Sequence, residues 1–445
     1  MKSAGMLQLA PVLAAAALLL GMPGPAQAVT VRCVPDTLID PSCQVGIPSG
    51  TPNAIQAAIN DSASGDIIIV GPGIYQGNGS TSPVEIPNGT AVSLYGAQAG
   101  NQTGSDGRGG RSNESIIDAT GAGGDGSAIV VRAQNVRIDG FTVQGATNGN
   151  ASGIDLKGGS NGGGPASGAV IVNNILQDNS TGISVNSEGF NGPVQNVLIE
   201  NNLIVSNNAG TPASSGDGLF TGGMQDVLII GNIFKGNQTS DLGINSPNPA
   251  PNNTHDVTIV GNSSSKSATF AIFTGTANAT VIGNDAEHLG RGASFPGAGD
   301  AAISIGPGNS NLSILGNRLA HGQGNIANGI DFTTLFGAGT STGIIVSGNE
   351  VEDMPQVQIT AGPSTLVNSR VEGNQVKGGA EGIALGAGDT GNLVTENSVQ
   401  GTHQLSCVDA SIGGGTLGTA NTWFRNVALG KRSLPAGLCA TSNGR

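Results

Sequence analysis

Aromatic and charged side chains are scarce in this sequence. Aromatic residues make up 3% of the 445 residues and charged residues 11%, and there is a single tryptophan. This composition excludes an ordinary helical enzyme. It also excludes a disordered chain, because 37% of the residues are hydrophobic and the aliphatic ones alternate with polar ones as in β-strands. The 75 glycines agree with a β protein, and one elongated domain is the simplest organisation.

Basic residues are also few, with 17 lysines and arginines against 30 acidic residues. Nucleic acids and anionic membranes attract proteins with the opposite balance of charge. We therefore expect neither as a partner of this chain.

Long hydrophobic runs are missing after the N-terminal segment. Residues 1–28 contain one lysine and an apolar run from Leu7 to Met22, followed by Pro23, Pro25 and the sequence Ala-Gln-Ala, which predicts a secretory signal peptide cleaved after Ala28. A membrane anchor is the weaker alternative, because a membrane-spanning helix needs roughly 18 to 20 apolar residues. We expect a secreted or periplasmic protein with no membrane span once the signal is removed. Its net charge would be -14, from 16 basic and 30 acidic residues.

One pattern of alternating aliphatic residues around an asparagine returns along most of the chain. In NVLIENNLIV at 196–205, Val197 and Ile199 alternate as in a strand, and Ile204 resumes the apolar face after Asn202. The phase slip indicates a strand, a sharp corner and a second strand. The spacing of 22 to 33 residues varies too much for a helical repeat, but it suits stacked coils with variable loops. The asparagines at this position are Asn174, Asn202, Asn232, Asn262, Asn284, Asn317, Asn349, Asn374 and Asn397.

The asparagine has a physical role at that corner. Six of the nine follow a glycine, and both residue types tolerate a left-handed backbone. Each side-chain amide can then bond to its equivalents one coil above and below, as an asparagine ladder. Next in each repeat comes a small residue followed by alternating aliphatic ones, as in GIDL at 153–156 and GISV at 182–185. Each repeat therefore carries about three short strands, which bury their apolar face only by stacking on parallel neighbours.

The Gly-Asn corner followed by a Gly-Ile strand resembles the right-handed parallel β-helix of the pectin lyase-like superfamily. The resemblance covers residues 66–400 and implies an all-β, single-stranded solenoid of about 11 to 13 coils. The segments AIQAAIN and GDIIIVGPGIY are similar to the start of many secreted β-helix proteins, including pectin esterases and lyases. We expect residues 29–65 to form an N-terminal cap with a short helix whose N-cap is Thr51. Residues 401–445, which include Trp423, would form a C-terminal cap; a sugar-stacking role for Trp423 is the alternative.

The four cysteines lie near the two ends of this rod. Bridged α-carbons must approach within about 7 Å, whereas nine or more coils separate the ends by roughly 40 Å. Only the pairs Cys33–Cys43 and Cys407–Cys439 join cysteines at the same end of the rod. Each pair would therefore cross-link one end of the solenoid. A zinc site is the weaker alternative, because no Cys-x-x-Cys spacing exists and the export signal favours oxidation.

The resemblance also implies that a substrate groove runs along the sheet of the Gly-Ile strands. The expected binding residues are the outward-facing members of that row, Phe220, Asn245, Phe273 and Ser304. Asp155 and Asp331 belong to the same row but stand six coils apart, nearly 30 Å. They are too distant to act as the two carboxyls of a glycosidase.

The loop edge that leads into this sheet is richer in reactive side chains. Asp217 and Asp241 precede the strands of two consecutive coils. In the following coils, Lys266, His288 and His321 each fall four residues after a ladder asparagine, so stacking would make them neighbours. Together with Arg291 these are the candidate catalytic residues.

Two mechanisms fit these residue types. In β-elimination on a uronate, Lys266 or Arg291 would be the base, and calcium held by Asp217 and Asp241 would neutralise the carboxylate. In hydrolysis, Asp217 and Asp241 would be the acid and the base, assisted by His288 or His321. The further motifs of polygalacturonases, pectate lyases and alginate epimerases are absent from the sequence, so no single enzyme family is matched.

Two functions from other classes also stay open. A non-catalytic adhesin or matrix protein would use the flat faces rich in glycine, serine and asparagine, and the scarcity of Trp and Tyr favours it. A copper-processing β-helix would need imidazole or soft ligands, of which only His288 and His321 are expected to be close. We therefore predict a monomeric, secreted β-helix that binds or processes an extracellular polysaccharide, such as a uronate-containing glycan.

Overall fold

The computed structural model describes residues 28–35, 40–77, 79, 81–104, 113–123, 126–149, 151–159, 165–185, 192–208, 216–246, 254–290, 301–323, 328–333, 339–362, 364–430 and 432–441. The predicted signal peptide, except for Ala28, and the candidate base Arg291 lie outside these ranges. Among the residues described, no helix is long and apolar enough to cross a membrane.

Short strands follow each other along almost the whole described chain. The first elements are β1 (Val31–Val34), β2 (Val45–Gly46), α1 (Ala54–Asn60), β3 (Ile67–Val70), β4 (Gly73–Gln76), β5 (Val84–Ile86), β6 (Ser93–Tyr95), β7 (Ser115–Asp118), β8 (Ile129–Val131), β9 (Arg137–Asp139), β10 (Phe141–Gln144), β11 (Ser152–Leu156), β12 (Val170–Val172), β13 (Ile175–Gln177) and β14 (Thr181–Val185). The middle elements are β15 (Val194–Glu200), β16 (Leu203–Val205), β17 (Leu219–Thr221), β18 (Met224–Ile230), β19 (Ile233–Lys235), β20 (Leu242–Asn245), β21 (His255–Val260), β22 (Ser263–Ser265), β23 (Ala271–Thr274), β24 (Thr280–Ile282), β25 (Asp285–Glu287), β26 (Ala301–Ile305), β27 (Ser313–Leu315), β28 (Arg318–Ala320) and β29 (Asn328–Phe332). The last elements are β30 (Thr340–Thr342), β31 (Ile345–Ser347), β32 (Glu350–Glu352), β33 (Val357–Ala361), β34 (Thr365–Val367), β35 (Arg370–Glu372), β36 (Gln375–Lys377), β37 (Glu381–Leu385), β38 (Leu393–Thr395), β39 (Ser398–Gln400), β40 (Leu405–Asp409), β41 (Thr422–Phe424), β42 (Val427–Leu429), β43 (Arg432–Leu434) and β44 (Ala440–Thr441).

Three long parallel sheets, here called A, B and C, contain nearly all of these strands. Sheet A has 15 strands in the order β2-β1-β3-β6-β9-β12-β15-β18-β21-β24-β27-β31-β35-β38-β41. Sheet B has 14 strands, β4-β7-β10-β13-β16-β19-β22-β25-β28-β32-β36-β39-β42-β44, and sheet C has 13, from β5-β8-β11 to β37-β40-β43. Each coil passes through A, B and C in turn and stacks on the next coil. The predicted all-β, right-handed parallel β-helix is therefore confirmed.

The asparagines of the repeat stand at the corner from sheet A to sheet B. The Oδ1 atom of Asn232 accepts the main-chain N–H of Asn202 at 2.9 Å and its side-chain N–H at 3.0 Å. The Nδ2 atom of Asn232 donates to the carbonyl of Ile199 at 2.9 Å and to Asn262 Oδ1 at 3.0 Å. The same bonds link the ladder from Asn174 onward, and a tenth member that the sequence analysis missed, Asn426, receives the bonds of Asn397.

A shorter ladder, which sequence analysis also missed, stands at the corner from sheet B to sheet C. The Nδ2 of Asn179 donates to Asn207 at 3.2 Å, and that of Asn207 donates to Asn237 at 3.0 Å. It ends at Asp241, whose Oδ1 accepts the Asn237 amide at 2.8 Å. Buried amides of this kind are satisfied only while the coils stay in register.

A short helix covers the N-terminal end of the rod. Helix α1 buries Ala54, Ile55, Ala58 and Ile59 over the first coils. Its N-cap is Asn53, which has a left-handed backbone, and not the predicted Thr51, whose hydroxyl instead donates to the carbonyl of Pro48.

The C-terminal segment extends the coils beyond residue 400, where the sequence repeat was expected to end. Strands β40 to β44 join the same three sheets. Trp423 is 5% exposed, and its indole N–H donates to Asp409 Oδ2 at 2.7 Å, so it is a core residue without a face for sugar stacking. Both predicted disulfides are confirmed, with α-carbon separations of 5.7 Å for Cys33–Cys43 and 6.1 Å for Cys407–Cys439.

Candidate functional site

The outer face of sheet C holds fewer accessible side chains than the sequence indicated. Strand pairing aligns Phe220 with Gly243, Ile272, Ser304 and Asp331 in one outward row. Phe220 is 37% exposed, whereas Ser304 is only 3% exposed. Among the four expected binding residues, Phe220 is thus the one that presents substantial surface.

Two of the expected binding residues are not in this row. Phe273 pairs with Ile244 and Ile305, and it is fully buried in the core. The prediction was wrong because the small Ala271, rather than Ile272, occupies the first inward position of β23, which shifts the alternation by one residue. Asn245 pairs with Thr274, two residues beyond the Phe220 row, and its side-chain oxygen is buried.

Asp241 points into the core and not toward the loop edge. It has no exposed surface, and it occupies the position that glycine holds in the preceding coils at Gly182 and Gly218. Its carboxylate accepts hydrogen bonds from Asn237 and Ser264 inside the coil. Burial, together with the nearby charge of Asp217, raises the pKa of Asp241 to about 7, against the effect of these bonds.

Asp217 is 7% exposed. Strand pairing stacks it on Ser240, the residue before Asp241 in the next coil. The Ser240 hydroxyl donates to Asp217 Oδ1 at 2.5 Å, and burial raises the pKa of Asp217 to about 6.

A glycosidase needs both carboxyls at the substrate, and calcium needs about six to eight oxygen ligands. Asp241, enclosed within the coil, suits neither role. No group of three or more potential metal ligands occurs within the described ranges.

The corner from sheet B to sheet C carries one residue per coil with a left-handed backbone. The residues at this position, four after each of the nine ladder asparagines from Asn174 to Asn397, are Asp178, Ser206, Gly236, Lys266, His288, His321, Asp353, Gly378 and Gly401, with φ between 53° and 74°. Glycine suits this conformation best, and a long side chain such as lysine adopts it at a cost. Strained positions of this kind occur preferentially at functional sites.

Four consecutive members of this row form an exposed ridge that we call the histidine edge: Lys266, His288, His321 and Asp353. The rings of His288 and His321 lie 5.4 Å apart, centroid to centroid, and their side chains are 42% and 41% exposed. Asp353 Oδ2 lies 3.3 Å from Nδ1 of His321, and Glu287 lies 3.7 Å from Nδ1 of His288. The predicted stacking of His288 on His321 is therefore confirmed, with Asp353 as a further neighbour, and strand pairing places Lys266 one coil before His288.

Charged side chains continue from this edge onto the outer face of sheet B. Arg318 contacts Asp285 and Glu352, each at 3.0 Å, and Glu287 at 3.4 Å. Lys377 pairs with Glu350 and lies 3.6 Å from Glu352. These ion pairs hold the face beside the histidine edge in a defined arrangement, although each exposed pair contributes little stability.

Asp353 was not predicted, although its position after Asn349 follows the rule that selected the two histidines. Tyr95 was not predicted either, and it stands on the outer face of sheet A with Arg137 5.7 Å from its ring centroid. The alternation of outward and inward residues in Ser93–Tyr95 could have indicated that Tyr95 faces outward.

Comparison with solved structures agrees with this architecture. The catalytic unit of the GH87 α-1,3-glucanase from Streptomyces thermodiastaticus strain HF3-3 matches with a TM-score of 0.55 and 17% identity, over 85% of this chain and 66% of that one. The chain is a right-handed parallel β-helix protein. It thus spans just under two thirds of the glucanase catalytic unit, and an identity this low establishes only a shared fold.

Other β-helix structures superpose less closely. PfbA, a surface adhesin of Streptococcus pneumoniae, matches with a TM-score of 0.40 and 12% identity, over 90% of this chain and 93% of that one. An alginate lyase from Paenibacillus sp. str. FPU-7 matches with a TM-score of 0.33 and 14% identity, over 85% of this chain and 97% of that one. No family model matches the sequence, and neither does any curated protein.

Proposed function

We propose that this β-helix protein binds an extracellular polysaccharide along the histidine edge, without cleaving it. The observation that carries the proposal is the exposed stack of Lys266, His288, His321 and Asp353 in consecutive coils. Adjacent coils are about 4.8 Å apart, a spacing similar to the length of one sugar unit. A glycan lying along the edge would meet a new donor or acceptor at each coil.

The side chains of the edge suit sugar hydroxyl groups. Imidazoles both donate and accept hydrogen bonds, carboxylates accept them and the ammonium donates them. The Lys266 ammonium has no ion-pair partner within the described part of the chain and is exposed, so its donors are available to a ligand. The aromatic Phe220, partly exposed on sheet C, adds an apolar surface on an earlier coil.

Binding rather than cleavage is favoured by the position of the two aspartates. The hydrolytic pair and the calcium ligands expected from the sequence both required Asp241 at the surface, whereas its carboxyl is enclosed in the coil. The exposed acids of sheet B are engaged by Arg318 and Lys377. The extracellular location follows from the signal peptide that the sequence predicts, and two disulfides agree with it.

We expect the double variant His288→Ala, His321→Ala to bind polysaccharide at least ten-fold more weakly than the unchanged protein, about 1.4 kcal/mol. The physical reason is the loss of two adjacent hydrogen-bonding rings from the centre of the edge. Affinity electrophoresis with α-1,3-glucan, xylan, pectate and alginate in the gel measures the effect. The matched control is His255→Ala, a histidine on strand β21 that pairs with Asp256 away from the edge.

Two results would contradict the proposal. One is a double variant that is retarded as strongly as the His255→Ala protein. The other is growth of ultraviolet absorbance near the unsaturated-uronate band during incubation with pectate or alginate. That growth would show β-elimination, which needs a base that removes a proton from the uronate.

A further inference from the structure

The histidine edge leads directly into a hollow in the surface. This hollow has a volume of about 610 Å³, within the range of small-molecule sites. It lies where the corner row changes from side chains to Gly378 and Gly401, so we call it the glycine hollow. Besides its glycines, the hollow is lined by Asp353, Pro355, Lys377, Gln400 and His403.

Two glycines of the hollow, Gly378 and Gly379, have no room for a side chain. A Cβ atom on Gly379 would lie 2.1 Å from the side-chain nitrogen of Gln358, and one on Gly378 would lie 2.8 Å from the Asp353 carboxylate. Gly401 is different, because its nearest neighbours would be 3.7 Å or more away. The first two glycines form a closely packed floor, while the space above Gly401 is free.

The polar groups around the hollow match a sugar ring. Asp353 offers carboxylate oxygens, Lys377 an ammonium and Gln400 an amide, while the exposed Pro355 adds an apolar surface. The exposed His403 side chain has no hydrogen-bond partner among the described residues. Sites that bind sugars combine an apolar surface with a few convergent polar groups in this way.

Charge at the hollow disfavours an acidic sugar. The only ammonium, Lys377, is paired with Glu350 and Glu352, and Asp353 adds a third carboxylate. Within the lining of the hollow the charges of Asp353 and Lys377 cancel, and the Lys377 ammonium is already engaged by Glu350, so no unpaired lysine or arginine is left for a carboxylate. A uronate would find no free cation here, whereas a neutral ring can hydrogen-bond to each polar group.

We propose that the glycine hollow binds one neutral sugar unit and so makes the protein a receptor for a neutral glycan. This proposal rests on the proposed function, because the same glycan would continue along the histidine edge. Asp353 links the two surfaces, since it contacts His321 on the edge and forms a wall of the hollow. The uronate-containing glycan that the sequence suggested would accordingly not be the ligand.

The test uses the mature protein with cellotetraose, laminaritetraose and tetragalacturonate as probes. We expect one of the neutral tetramers to shift the ring resonance of His403 in NMR spectra, while the resonance of His255 stays in place. The variant Gly401→Asn keeps the left-handed backbone that asparagine tolerates, at φ 67°, and places a side chain in the hollow. It should weaken binding of that tetramer at least ten-fold in calorimetric titrations.

The matched control is Gly373→Asn, which makes the same change at φ 63° on the opposite corner, with nothing within 4 Å of its Cβ. Equal binding by the two glycine variants, or tighter binding of tetragalacturonate than of both neutral tetramers, would overturn the proposal. Polysaccharide binding that is lost in the His288→Ala, His321→Ala protein but unchanged in Gly401→Asn would refute the hollow alone. A tetramer that shifts His403 while no polysaccharide is retarded would instead refute the edge and support the hollow.

Discussion

Replacing Asn232 by leucine is expected to lower the free energy of unfolding by about 3 to 5 kcal/mol. The leucine removes the acceptor of the main-chain and side-chain N–H groups of Asn202, and it removes the donor to the carbonyl of Ile199. These groups are buried, so water cannot replace the lost bonds. Urea unfolding followed by circular dichroism measures the change.

The matched control for this substitution is Asn88→Leu. Asn88 is an exposed asparagine in the turn between β5 and β6. Substitutions at such surface positions usually change stability by less than about 0.5 kcal/mol. Equal urea midpoints for the two leucine variants would mean that the ladder does not stabilise the rod.

The variant Asp241→Asn is expected to be more stable than the unchanged protein at pH 8, by on the order of 2 to 4 kcal/mol. Burial raises the pKa of Asp241 from 3.8 to about 7, so the folded protein binds this proton more tightly than the unfolded chain. The stabilisation from the bound proton is complete below pH 3.8 and is lost as the pH rises to about 7. Above that pH the folded protein carries a buried charge, which asparagine avoids.

The pH dependence provides the decisive measurement for Asp241. Urea midpoints of the unchanged protein should fall between pH 4 and pH 7, and the part of this fall that Asp241 causes should disappear in the variant. A fall of the same sign should persist from Asp217 and Asp389, whose pKa values are each raised to about 6. Asp226→Asn is the control, because Asp226 is exposed and has a left-handed backbone that asparagine accepts. A variant at Asp241 that is less stable than this control at pH 8 would contradict the account.

Asp217 and Asp241 share two features with a catalytic pair of carboxyls. Asp217 and Asp241 do precede strands of consecutive coils, and both have raised pKa values, as catalytic acids often do. Structural carboxyls show the same perturbation when a fold encloses them. In Asp241 the cause is a glycine-sized position inside the coil, where it terminates the ladder of Asn179, Asn207 and Asn237.

The histidine edge could be predicted because it depends on a count along the chain. His288 and His321 each lie four residues after a ladder asparagine, and the ladder holds every coil in the same register. The same count would have found Asp353, Gly378 and Gly401, and hence the hollow. Those residues were passed over because an exposed aspartate and glycines carry no distinct chemical signal in a sequence rich in both.

The ends of the rod were less predictable than its middle. Residues 401–441 continue the three sheets, and Asn426 extends the ladder, although the spacing of their aliphatic residues is irregular. Trp423 was expected to belong to a cap, yet it fills the same inward row as Val394. A large side chain can replace an aliphatic one in the last coils because less structure is stacked beyond it.

Residue spacing along the chain was enough to predict the parallel β-helix, the asparagine ladder, the disulfide pairs and the stacking of His288 on His321. Each of these follows from spacing, because coils that share one register place equivalent residues in contact. Which side chains face the solvent could not be predicted from that spacing. A shift of one residue reverses the face of a strand, as at Phe273, and a corner can turn a side chain into the core, as at Asp241. The space above Gly401 likewise exists only because neighbouring coils hold its walls apart.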